Sequence, residues 1–117
     1  MHDFKKLTVW QKMRVFVKKL YLLTQKFPNA EKFGLTQQIR RASVSMISNI
    51  AEGSGRNTTP DLAHFVDMAN GSAFEVETQL YLAIDLEYIT QQEFEDILSQ
   101  LQEIEKMLYN LRKSLIN

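Results

Sequence analysis

The chain has no cysteine, so it can form no disulfide, thiolate nucleophile or zinc–thiolate cluster, and packing must supply its stability. No run of about 18 apolar residues exists. Asp3, Lys5, Lys6, Lys12, Arg14, Lys18 and Lys19 break up the first twenty positions, which excludes a spanning helix or a signal-peptide core there. The expectation is a cytoplasmic protein with no membrane partner. Two prolines and four glycines are too few for a loop-rich chain, and no strand-like alternation, long linker or internal repeat is present. At 117 residues the chain can enclose one core, so it reads as a single domain over 1–117.

Net charge is also missing, but only in sum. Residues 1 to 60 hold eleven Lys/Arg against three Asp/Glu, and residues 61 to 117 reverse those numbers. Such a split can present a basic patch despite zero formal charge, or let the basic half of one copy meet the acidic half of another. Alternatively, the two halves fold against each other within one chain.

What is present is helical periodicity. A first helix is expected over about 8–27, stopping before Pro28, with Val9, Trp10, Met13, Phe16, Val17, Leu20, Leu23 and Phe27 on one face. Lys12, Arg14, Lys18, Lys19 and Lys26 lie opposite, around Val15 and Leu22 one heptad apart. A second helix over about 36–53, capped by Thr36, turns Leu35, Ile39, Ala42, Met46 and Ile50 inward and ends at Gly53 or Gly55. The third, about 59–87, starts from Thr58 or Thr59 with Pro60 and Asp61 in its first turn. Its core face is Leu62, Phe65, Val66, Ala69, Ser72, Ala73, Val76, Leu80, Ala83 and Ile84, while Met68, Leu82 and Leu86 form a second apolar band beside Glu75 and Asp85. Thr90-Gln91-Gln92-Glu93 is a capping box opening a fourth helix, about 91–115. There Ile97, Leu101, Ile104, Leu108, Leu111 and Leu115 make a bundle-type seam. The fold class is therefore all-α: an antiparallel up-down-up-down four-helix bundle.

Catalytic constellations are hard to find. A di-iron bundle needs two Glu-x-x-His pairs, and only Asp61-x-x-His64 has even that spacing; the second histidine, His2, sits at the terminus. Gly-x-Ser-x-Gly is absent. Gly53-Ser54-Gly55-Arg56 closes a helix rather than opening one, so it lacks the context of a phosphate loop. No enzyme activity, metal or cofactor is expected. Arg40 and Arg41 with the lysine-rich back of helix 1 are the candidate nucleic-acid surface, with little aromatic interleaving to suggest base stacking. The bands Val15/Leu22 and Met68/Leu82/Leu86 are unlike in charge and both apolar, as heterologous self-association requires.

Leu7-Thr8-Val9-Trp10-Gln11-Lys12, Phe27-Pro28, Gln38-Ile39-Arg40-Arg41-Ala42, Ser48-Asn49-Ile50-Ala51-Glu52-Gly53 with Gly55-Arg56, Gly71-Ser72 and Glu75-Val76-Glu77-Thr78-Gln79-Leu80 span nearly the whole chain. In these segments the chain resembles the four-helix-bundle proteins encoded in intervening sequences of bacterial 23S ribosomal RNA genes. The family it resembles is related to the accessory variability proteins of diversity-generating retroelements. The resemblance implies a homopentameric ring without enzymatic activity that binds RNA or a nucleic-acid-handling partner. Asn70 stands where the family often has arginine, and Glu87 where glycine is common before Tyr88-Ile89.

Nucleic-acid contact is thus expected from Lys12, Lys18, Lys19, Arg40, Arg41 and Arg56. The oligomer interface is expected to use Val15, Leu22, Asn49, Glu52, Met68, Glu75, Leu82 and Leu86. Glu52 and Arg56 would tie the corner between helices 2 and 3 to a neighbour, and Arg40 or Arg41 would meet Glu75 or Glu77. The alternative is a protein–protein adaptor or scaffold that binds no nucleic acid.

Overall fold

The computed structural model describes residues 3–115. Among these, four long helices and no strands are present: α1 (Thr8–Thr24), α2 (Leu35–Ser54), α3 (Thr59–Asp85) and α4 (Gln91–Ser114), with short 3₁₀ turns at Phe4–Lys6 and Asn29–Glu31. Each helix packs on its neighbour in sequence, and α1 also packs on α4. The 27 residues of α3, at about 1.5 Å rise each, account for most of the 43 Å long axis.

The apolar stripes meet in one core. Met13, Phe16 and Leu20 of α1 meet Ile39, Met46 and Ile50 of α2, Val66, Val76 and Leu80 of α3, and Leu101, Ile104 and Leu108 of α4, all nearly or wholly excluded from solvent. Trp10, Leu23 and Ile84, expected on core faces, pack only partly buried against it. Phe94 and Gln79 are buried without having been expected there.

Both caps that depend on nearest neighbours form. Thr58 accepts from the Asp61 N–H at 3.2 Å, and Thr90 and Glu93 exchange the reciprocal hydrogen bonds of a capping box at 3.1 and 2.9 Å. The start of α2 differs from expectation. Thr36 is not its cap; the helix begins one residue earlier, where Glu31 Oε1 accepts from the Leu35 N–H at 3.1 Å. Gly34 makes room for that carboxylate, since a Cβ there would lie 2.6 Å from Glu31 Oε1.

α1 ends at Thr24 rather than Phe27, because its last turn tightens: the Lys26 and Phe27 N–H groups donate to the carbonyls of Leu23 and Thr24. α3 ends at Asp85, and the chain reverses through Glu87, the one non-glycine residue at positive φ among those described (62°). Around it, the Glu87 N–H donates to Ile84 O at 3.0 Å and the Tyr88 N–H to Ala83 O at 2.9 Å, the bond pair of a Schellman motif.

Of the two glycines expected to end α2, Gly55 is its C-cap, whereas Gly53 lies within the last turn. A Cβ at this position would sit 2.7 Å from Phe65 Cβ and 3.0 Å from Leu62 Cδ1, so glycine is what lets α3 approach this closely.

Candidate oligomer and nucleic-acid surfaces

The charge split of the sequence becomes a division of the bundle, with α1 and α2 cationic and α3 and α4 anionic. Along the α1/α4 seam the halves neutralise each other: Lys12 pairs with Glu103 at 2.7 Å, and Lys26 pairs with Glu93. The Lys26 ammonium, followed by the Thr90 N–H, holds the Glu93 carboxyl below its ordinary value. A third pair, Arg112 with Asp67 at 2.7 Å, joins α4 to α3.

The expected nucleic-acid residues therefore divide. Lys12 is engaged with Glu103. Arg40 is turned into the α1/α2 seam, where its Nε donates to Thr24 Oγ1 at 2.9 Å and its Nη2 to Tyr21 O at 3.1 Å, with the guanidinium 4.6 Å from the Tyr21 ring centre. This arginine staples two helices together. Arg56 lies 4.6 Å over the Phe65 ring at the α2/α3 corner. Lys18, Lys19 and Arg41 are exposed and form no ion pair among the described residues.

Arg41 opens on the opposite seam from Lys12, bordering a shallow depression with Gln38, Ala42, Ser45 and Glu75. Arg41 and Glu75 thus share one depression without forming an ion pair. The Ser72 hydroxyl donates to Ser45 Oγ at 3.1 Å, and the Asn49 amide donates back to Ser45 O at 2.9 Å, so Asn49 is spent largely on its own helix. Glu52 is exposed and makes no ion pair with Arg56.

Of the expected apolar contacts, Val15, Leu22, Leu82 and Leu86 are between 47% and 56% exposed, values that leave each side chain about half in water. Met68 is half-buried. Met68, Glu75 and Leu82 follow one another at heptad spacing along α3, as Val15 and Leu22 do along α1. Phe74, Tyr81 and Tyr109 are exposed as well, on the anionic half.

One grouping was missed from the sequence. Lys5, Trp10, Gln11, Arg14, Val15 and Lys18 line a single groove of about 480 Å³. The available signal was Trp10, Arg14 and Lys18 at successive four-residue steps on α1. The missing part was Lys5, brought in by the Phe4–Lys6 turn.

On the α3/α4 flank, burial, then the neighbouring Glu77 carboxyl, push the Glu105 carboxyl up to about 8. His64 and Asp61 are both exposed at the start of α3, and His2 lies outside the described residues. Among the described residues, no helix is long and apolar enough to cross a membrane.

The sequence pattern of the 23S rRNA-intervening sequence protein family matches residues 5–110. A crystal structure of a protein of unknown function from the S23 ribosomal protein family of Bacteroides thetaiotaomicron superposes with a TM-score of 0.82 at 28% identity, over 91% of this chain and 99% of that one. No curated protein matches the chain.

Proposed function

The chain belongs to the 23S rRNA-intervening sequence protein family, and from that premise we propose that it is a non-enzymatic, cytoplasmic bundle protein that assembles with copies of itself and binds structured RNA. Its helices run up-down-up-down, a course supported by the pairings of Thr24 with Arg40, Ser45 with Ser72, Asp67 with Arg112 and Lys12 with Glu103. The observation that carries the assembly is the presence on one protomer of two unlike, half-exposed apolar strips. Val15 and Leu22 stand among cations, and Leu82 and Leu86 beside carboxylates. Surfaces that match each other but not themselves join head to tail, and such contacts close into a ring when their rotation allows; the proposed ring has five members. RNA contact falls to the exposed cations Lys18, Lys19 and Arg41.

Light scattering on the purified protein is expected to give a mass near five times 13.6 kDa, and Leu22→Glu or Leu82→Lys to reduce it to the protomer. A wild-type particle that stays at protomer mass at high concentration and low salt refutes the assembly. Arg41→Glu and Lys19→Glu are expected to lower RNA retention without changing stability. The internal engagement of Lys12 and Arg40 favours a second reading, an adaptor that binds a protein and no RNA. Salt separates the two: phosphate contacts weaken steeply as it rises, whereas apolar ones do not.

A further inference from the structure

We propose that the groove between the Phe4–Lys6 turn and α1 binds an unpaired nucleotide of a single strand, with the base against Trp10 and the flanking phosphates on Lys5, Arg14 and Lys18. This deepens the nucleic-acid part of the reading above and rests on it. The sequence by itself indicated charge-led contact without stacking. The folded chain adds the aromatic platform: Trp10 is half-buried, anchored from below by the core, and still lines the groove with three cations.

The groove is built rather than incidental. The Asp3 carboxylate accepts from the Lys5 N–H at 3.1 Å, and Gln11 Nε2 donates to Lys5 O at 2.9 Å, so the turn is fixed to α1 and Lys5 is held over it. Phe4 meets Trp10 edge-on, with ring centres 5.1 Å apart. The Arg14 guanidinium lies over the indole ring, 5.9 Å from its centre, so a stacked base takes the place of that cation, which turns outward to a phosphate. None of Lys5, Arg14 and Lys18 forms an ion pair among the described residues, and no carboxylate lines the groove.

Unneutralised cations around an aromatic face are what single strands use: backbone charge is met electrostatically, while any base can stack because every base has a π-face. A duplex hides its base faces within the stack, so it can reach the cations but not the indole. The volume falls within the range of about 300–1,000 Å³ typical of small-molecule sites. Val15 stands on the ridge between this groove and the α1/α4 seam, lining both.

Trp10 is the only tryptophan of the chain, so its fluorescence reports the contact directly. The full chain is titrated with a labelled oligoadenylate single strand, a matched RNA duplex and adenosine monophosphate, following indole emission and label anisotropy together. The single strand is expected to quench Trp10 saturably and to bind about tenfold or more tightly than the duplex. The logarithm of its binding constant should fall with that of salt at a slope near −2, as about three phosphate contacts on a single strand require. Arg14→Ala with Lys18→Ala, both exposed, should abolish the quench with the helical melt unchanged.

Strand binding by anisotropy with no change in Trp10 emission overturns the stacking site and leaves the basic-surface reading standing. Equal quenching by duplex does the same, and quenching by the mononucleotide as tight as by the strand reassigns the groove to a free nucleotide. No binding of either nucleic acid removes both readings together.

Discussion

The Tyr88 hydroxyl donates to Glu31 Oε2 at 2.7 Å, joining positions fifty-seven residues apart. The other oxygen of the same carboxylate accepts from the Leu35 N–H, so one side chain caps α2 and clamps the connection between α3 and α4. The Tyr88 bond, followed by the Leu35 N–H, lowers the Glu31 carboxyl from its ordinary value, and the same carboxylate raises the Tyr88 phenol. Since Tyr88 acts here through Glu31, Tyr88→Phe should lower the thermal midpoint modestly and Glu31→Ala by more. Combining them should cost no more than Glu31→Ala alone, because contacting partners are not additive. Thermal melts of the three variants check this.

Glu87 occupies a left-handed conformation that disfavours a side chain, within a Schellman motif that glycine serves best. Glu87→Gly is expected to stabilise the fold by about 1 kcal/mol, after the greater freedom of glycine in the unfolded chain offsets part of the relief. Urea denaturation at fixed protein concentration measures it, and an unchanged or lower midpoint contradicts it.

The Glu77–Glu105 pair sets a pH dependence of unusual sign. The Glu105 carboxyl rises from 4.5 to about 8 on folding, so the folded state holds a proton that the unfolded state releases. Its contribution is complete below about 4.5 and is lost as pH climbs toward 8. Glu31 and Glu93, both lowered on folding, act oppositely, and their contributions fade as pH drops below 4.5. Stability should therefore peak in the mildly acidic range and decline toward pH 8. Glu105→Gln should flatten the decline on the neutral side and leave the acid side intact, as denaturant midpoints across that range will show.

Two glycines inside helices should respond in opposite directions. Gly53→Ala drives a methyl group into Phe65 and Leu62 and is expected to cost about 1–3 kcal/mol. Beyond its own helix backbone and chain neighbours, Gly71 has nothing within 4 Å of where its Cβ would be, so Gly71→Ala should stabilise α3 by about 1 kcal/mol. Chemical denaturation of both variants decides the matter.

The four helices were legible because their signals are local. The Thr90–Glu93 box and the Thr58 cap involve residues three apart, and the inward faces of α2 and α4 follow from period alone. What the sequence hid depends on partners distant along it. Arg40 reads as a surface cation until Thr24 and Tyr21 are placed beside it. The cap of α2 comes from Glu31, held partly by Tyr88, and Gly53 reads as a helix terminator until Phe65 is seen against it. The Trp10 groove needed the Phe4–Lys6 turn to fold back, which no periodicity announces.

The segregation of cations on α1 and α2 from carboxylates on α3 and α4 makes a molecule of zero formal charge strongly polarised across a body only 20–24 Å wide. Such particles orient in one another's fields, and in dilute buffer that mutual attraction has few mobile ions to blunt it. Modest electrolyte should therefore dissolve the protein rather than precipitate it, a salting-in behaviour that a protein with its charges evenly mixed would not show.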